Sequence, residues 1–336
     1  MATDRQHAIG DIAGLEKAVA RSEFDAVIAV SPENVRYAGD VHISTQASIR
    51  DRLAFVIWPK HRDPIFLVCV IEHGYVQKHS WIQDIRTYQE FVLDPVTALA
   101  DILRELKLDA GHVAIETEYL AAKYYNDLVR HLPKLRLSAA EELFARVRMF
   151  KTPHEKQIII DGFQGTEKAF LATYNSVAVG ETEKNMSIRM ADNILLQGAE
   201  MVAFNHINAG PNTGFPHMAA GDYRIQKGDI LKGDSGGFFH EYFSNVGRTA
   251  KIGKLTDEDT TIWKKLRDTH HAIIDMCRVG RVGRELFEKA KELQTKAGLP
   301  FTFSHNGHSL GLNVHERPIV GPRETMRTRA RRATSS

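Results

Sequence analysis

Cysteine is scarce. Cys69 and Cys277 are the two in a chain of 336 residues. Two thiols cannot staple a chain of this length, so stability has to come from apolar cores. Both lie in apolar surroundings, and we read them as buried free thiols, the usage of a reducing compartment. Long apolar runs are also missing, since no stretch approaches the roughly 20 residues that cross a bilayer. The opening "MATDRQHAIGDIAGLEKAVA" lacks the basic-then-apolar layout of a secretory leader. Nor is there an excess of one charge: a formal net charge of +2 gives no reason to expect nucleic acid. These absences lead us to expect a cytoplasmic protein with neither a nucleic-acid nor a membrane partner.

The charge that exists is unevenly placed. The last sixteen residues, "GPRETMRTRARRATSS", hold five Arg against one Glu and contain no aromatic residue and no Val, Ile or Leu. They carry a net +4, which leaves −2 for residues 1–320. We expect residues 321–336 to form a basic disordered tail.

What is present divides into two halves. In the first, apolar residues at Ile12, Leu15 and Val19 mark an amphipathic helix. "DAVIAV", "LAFVIWP", "PIFLVCVI" and "HVAIE" read as buried strands. "DPVTALADILRELKL" and the segment around "YYNDLVRHL" read as helices between them. The alternation predicts an α/β domain over 1–150, with "HRDPIF" as a hairpin turn. A new unit opens at "KTPHEKQIII", where Thr152, Pro153 and Glu155 make a capping box with proline at the first helical position. A helix follows Thr182. Another is capped by Thr256 and stopped by Gly280, and a further one runs from about Arg284 to Gly298. Between and after them lie short strand-like pieces rich in Gly, aromatic residues and His.

Four features of this second half stand together: His217 after the loop "INAGPNTGFP", Asp234 with Gly236, the segment Asn245–Arg248, and His305, His308 and His315. Carboxylate with imidazole is a ligand set for Zn, Mn, Fe or Co. With sixteen histidines in the chain, several are expected to lie on the surface. The plainer reading applies to His206 and His240 as solvent-facing or hydrogen-bonded residues, and to His305 as a packing or supporting residue.

"DSG…SNVGRT" resembles the DxG…SDxxRT signature of the pita-bread hydrolases: methionine aminopeptidase, Xaa-Pro aminopeptidase, prolidase and creatinase. "GHSLGLNVHERP" resembles their GHGxGxxxHExP, and "AGPNTGFPH" the loop that carries their first substrate-binding histidine. "FDAVIAVSPENVRYAGDV" is similar to the opening of the creatinase/prolidase N-terminal domain. The resemblance covers about residues 10–320. It implies a creatinase-like α/β domain over 1–150, then a pita-bread α+β catalytic domain over 151–320 that is incomplete at its C-terminus.

The resemblance assigns roles residue by residue. Asp234 matches the first metal-ligating Asp. Asn245 stands where the peptidases have an Asp that bridges two metals. His308 matches the histidine ligand, and His217 and His315 match the pair that holds substrate and stabilises the tetrahedral intermediate. The two glutamate ligands, in GMxxxxEPG-like and EDxxxV-like stretches, have no counterpart, and Glu324 has neither motif around it. An Asn oxygen brings no charge and bridges poorly. We therefore expect no stable dinuclear centre here, since two dications without anions between them repel strongly.

The cofactor implied by resemblance is a divalent ion (Mn, Co or Zn), or none in this chain. The implied reaction is hydrolysis of a C–N bond, most often the peptide bond before proline, with a short peptide or small amide as substrate and a homodimer as the assembly. Three readings stay open at this point: a truncated or frame-shifted metallopeptidase, a metal-independent creatinase-like amidinohydrolase, and a non-catalytic binding relative.

Overall fold

The computed structural model describes Arg5 and residues 8–327. The chain divides into two units, one ending at Glu155 and the other beginning at Lys156.

The first unit is built on its apolar runs. Helix α1 (Ile12–Arg21) is capped by Asp11, which accepts from the Gly14 N–H, and buries Ile12, Leu15 and Val19. Strand β1 (Ala26–Ala29) leads through the short helices α2 (Pro32–Gly39) and α3 (Ser44–Ser48) to β2 (Phe55–Pro59) and β3 (Ile65–Cys69). All three strands are buried at every residue, as expected for strands covered on both faces. Then come α4 (His73–His79), β4 (Asp84–Tyr88), α5 (Pro95–Glu105), β5 (His112–Ile115), α6 (Ala122–His131), β6 (Arg136–Ala139) and α7 (Glu141–Arg148). The six strands form one mixed sheet in the order β4-β3-β2-β1-β5-β6. Its core joins Ile28, Phe55, Leu67, Leu99 and Ile115. Within this unit Glu116 is a buried carboxylate held by the N–H groups of Val30 and Ser31 and by the Asn34 amide, which satisfies it where it sits.

The second unit takes over along α8 (Pro153–Asn175). Thr152 and Glu155 cap that helix reciprocally, as their spacing predicts. Helix α9 (Glu183–Leu196) is capped by Thr182. Strands β7 (Met201–Ala209), β8 (Ile230–Phe239), β9 (Tyr242–Phe243) and β10 (Val246–Lys251) follow, paired antiparallel with β8 between β7 and β10. Two glycines of β8 are there for space. A Cβ on Gly233 would lie 2.2 Å from the Phe170 ring of α8, and one on Gly236 would lie 2.0 Å from the Ser244 carbonyl oxygen. Helices α10 (Asp257–Met276) and α11 (Gly283–Lys296) pack through Ile273, Leu286 and Ala290. A two-stranded piece, β11 (Gly307–Ser309) with β12 (Glu316–Val320), completes the unit.

Two expectations are corrected here. Cys277 is exposed and only Cys69 is buried. Residues 321–327 are not a loose tail. Glu324 is 5% exposed, and its carboxylate accepts from the backbone N–H groups of Ile319 and Met326 and from the Arg317 guanidinium. Arg327 bridges to Val282. A lone acid among arginines looked solvated in sequence, but it is the anchor of the β12 hairpin. The rest of the expected tail, 328–336, lies outside the described residues. No helix among the described residues is long and apolar enough to cross a membrane.

Candidate functional site

Asp234 lies on β8, directly opposite His206 of β7 on one side and Gly247 of β10 on the other. Side chains alternate along a strand, so Lys232, Asp234 and position 236 share a face. The β8–β10 pairing sets Val246 opposite Ser235. Continued by one residue, it brings Asn245 to Gly236, on the same face as Asp234. With no side chain at 236, the Ser244 carbonyl approaches and Asn245 meets the β11 segment: its Nδ2 lies 3.5 Å from His308 Nε2.

Three imidazoles gather at the two-stranded piece: His308 on β11, His305 two residues before that strand and His315 just before β12. The His308 and His315 rings are 4.1 Å apart, His305 and His315 5.5 Å, and His305 and His308 5.9 Å, centre to centre. The pairing register of the piece shifts after His308. His308 Nδ1 lies 3.0 Å from the Ser309 carbonyl oxygen. A carbonyl can only accept, so Nδ1 carries the proton and Nε2 keeps its lone pair. His305 Nδ1 is 3.2 Å from Ser304 Oγ.

His217 is exposed and is held from below. The Lys232 ammonium donates to the carbonyls of Phe215 (2.7 Å) and Pro216 (2.8 Å), the two residues before it. Burial pulls the Lys232 pKa down, and Asp234 and Glu183 pull it back up. The loop's other anchor is Glu183, fully buried, which accepts from the N–H groups of Ala209 and Gly221 and from the Asn212 amide. Neither residue stood out in the sequence. Lys232 could have been found by counting two residues back from Asp234 along a strand, and Glu183 by its place just after the cap Thr182.

The site's electrostatics tie these pieces together. Burial lowers the His315 pKa first, the charges of His308 and His305 lower it further, Asp234 raises it, and His217 lowers it. Burial also lowers the His206 pKa, with His217 next and Asp234 opposing. Asp234 thus acts on imidazoles from both sheets. His206, read from the sequence as solvent-facing or hydrogen-bonded, is half-buried, its ring 5.1 Å from that of His217 and 6.0 Å from that of Phe204. His240 is exposed, near Glu200, as expected.

The donor chemistry can be tested against an implied pair of metal ions. Asp234 is the carboxylate that acts on the site's histidines, Asn245 is neutral, and the Glu324 carboxylate is taken by Arg317 and two backbone N–H groups. Among the described residues that act on these imidazoles, one negative charge would face four positive ones, with no second carboxylate to set between the two cations. The residues fit one divalent ion and do not fit two.

Residues 161–333 match metallopeptidase family M24, whose members use divalent metal ions, and residues 12–150 match the Creatinase/Prolidase N-terminal domain. An Xaa-Pro dipeptidase of Lactobacillus helveticus is 26% identical over 274 residues, 80% of this chain and 74% of that protein. An Xaa-Pro dipeptidase of Lactobacillus delbrueckii subsp. lactis is 25% identical over 301 residues, 88% of this chain and 80% of that protein. The crystal structure of a dipeptidase from Pyrococcus horikoshii OT3 superposes with a TM-score of 0.84 at 22% identity, covering 95% of this chain and 87% of the other. At that identity the superposition speaks for the two-domain fold alone.

Proposed function

Because this chain belongs to metallopeptidase family M24, we propose that it is an Xaa-Pro dipeptidase-like hydrolase of short peptides. The observation that carries this reading is geometric: Asp234 lies opposite His206 on β7, whose ring is 5.1 Å from that of His217, and the same carboxylate raises the pKa of His315 beside β12. Such an arrangement would offer N–H donors on two sides of a small carbonyl substrate. His217 and His315 hold the carbonyl oxygen of the scissile bond, and as donors they stabilise the negative charge that develops there in the tetrahedral intermediate. Lys232 keeps the His217 loop in register with Asp234.

Asp234 and His308, joined by the Asn245 amide once it turns its oxygen rather than its Nδ2 toward them, are the residues that would hold one divalent ion, Mn, Co or Zn. Such an ion, when bound, supplies a water of lowered pKa. The reading uses no ion pair, for which the donors do not fit. The scarcity of cysteine and the resemblance to prolidases support a cytoplasmic homodimer as part of the same proposal.

The test is a panel of Xaa-Pro and Pro-Xaa dipeptides with each ion in turn. Cleavage of Xaa-Pro alone, dependent on added ion and lost in His217→Ala, is expected. A flat rate at every metal concentration counts against the reading. The neutral Asn245 favours a second one, a metal-independent amidinohydrolase like creatinase. Turnover of a small guanidino substrate that survives a chelator and dies with His217→Ala would select it. If neither reaction occurs, a non-catalytic binding relative is what stays.

A further inference from the structure

The ligand-bearing face contains a second donor set that shares one residue with the first. Among the described residues, the group whose donor atoms come together is not centred on Asp234. It is His305, His308 and His315, with one nitrogen from each ring and all three within 4.8 Å of one another. We propose that these three imidazoles form a separate site for one borderline transition-metal ion such as Zn²⁺ or Co²⁺, and that filling it takes His308 and His315 away from the peptide site.

Tetrahedral coordination with metal–nitrogen bonds of about 2.0–2.1 Å sets neighbouring ligand nitrogens roughly 3.3 Å apart. The present separations therefore need a closure of at most about 1.5 Å, within reach of a small rotation of exposed or half-buried rings. Two of the rings already have a supporting contact. His308 gives its Nδ1–H to the Ser309 carbonyl and so offers Nε2. His305 Nδ1 lies beside Ser304 Oγ, which leaves its Nε2 as the other donor. Orientation of a ligating imidazole through its second nitrogen is the usual support for a metal ligand.

There is also an entry path. A cavity of about 640 Å³ opens beside the trio, lined by His305, His315, Arg317 and Glu324 among others. His305 and His315 both line it, so a fourth ligand could be water. Three neutral nitrogens and no carboxylate suit Zn²⁺ or Co²⁺ better than Mn²⁺ or Mg²⁺, which prefer oxygen.

The consequence for the peptide site follows from shared residues, and this part rests on the peptidase reading above. His308 would supply an ion held with Asp234, and His315 would hold the substrate. An ion seated on the trio uses both. With Mn²⁺ supporting turnover, added Zn²⁺ should then inhibit by drawing His308 and His315 to the trio, and the inhibition should depend on His305, a residue outside the proposed chemistry.

The experiment titrates the full 336-residue chain with Co²⁺ and reads the strong visible absorption of four-coordinate cobalt. The spectrum needs no turnover, so it separates this inference from the peptidase reading. The expected result is one Co²⁺ per chain, displaced by Zn²⁺. His305→Asn should weaken binding by more than the roughly 10–100-fold that loss of a supporting group costs, and Asp234→Asn should leave it unchanged. A metal-free melting curve for each variant confirms that it folds. A spectrum unaffected by His305→Asn but lost in Asp234→Asn would overturn the proposal, as would no four-coordinate absorption at all. A chain that binds cobalt on the trio yet cleaves no dipeptide with Mn²⁺ either, in wild type and in His305→Asn alike, would keep this site and sink the peptidase reading alone.

Discussion

Replacing Glu324 by Gln removes one negative charge and changes almost no volume. The carboxylate sits at the end of the β12 hairpin, its side chain 3% exposed. It accepts from Met326 N at 2.9 Å, Ile319 N at 3.1 Å and the Arg317 guanidinium at 3.1 and 3.3 Å. An amide can satisfy some of these donors through its oxygen, but its NH₂ group must face another donor. One buried N–H left unmatched costs about 1–3 kcal/mol. Arg317 is 42% exposed, so losing its partner adds at most about 1 kcal/mol. We expect a loss of about 2 kcal/mol, which for a domain of this size lowers the melting temperature by about 4–8 °C.

The pH dependence gives the sign. Burial pushes the Glu324 carboxyl up, but the Met326 N–H, Arg317 and the Ile319 N–H outweigh it and hold the pKa below the usual 4.5. The folded state therefore binds the proton less readily than the unfolded one. The stabilisation is present above about pH 4.5 and is lost as pH falls through the folded value. Wild type and Glu324→Gln should differ in thermal melts at pH 7 and converge in acid. Equal melting temperatures at pH 7 would refute the reasoning, and so would a gap that widens in acid.

Two further outcomes follow from the site's construction. Gly236→Ala sets a methyl group 2.0 Å from the Ser244 carbonyl oxygen and 2.8 Å from the Phe204 ring. Backbone must move, at a cost of about 1–3 kcal/mol, and an unchanged urea midpoint would contradict the close approach. Lys232→Met keeps most of the stem but removes both hydrogen bonds to the His217 loop. It should raise KM for an Xaa-Pro dipeptide by about 5–30-fold, the equivalent of about 1–2 kcal/mol, while the melting temperature holds. A normal KM would make Lys232 a bystander.

The parts legible in the sequence were those with a local signal. Strands β1, β2 and β3 are continuous apolar runs and were found. Strands β4 and β6 were not, because they are the sheet's two edges and carry mostly half-buried or exposed residues such as Asp84, Arg86 and Arg136. Asp234, Asn245, His308, His217 and His315 could be picked out through spaced motifs, and the structure sets Asn245 beside His308 and His315 within the field of Asp234. His206, Lys232 and Glu183 belong to the same site through strand register and loop anchoring, which no single window of sequence reports. His305 carries no motif of its own, and only the turn between α11 and β11 brings it to the other two rings. Glu324 shows the same limit from the other side: composition made it part of a solvated basic segment, whereas its three partners are set by a hairpin.

The central claim is that this donor set accommodates one divalent ion and not two. Native mass spectrometry of the chain, equilibrated with Co²⁺ or Zn²⁺ at concentrations near its affinity, counts the ions directly. The account predicts a single dominant species with one ion per chain. A dominant species with two would contradict it, since Asp234 alone would then be balancing a charge that the residues described here cannot hold.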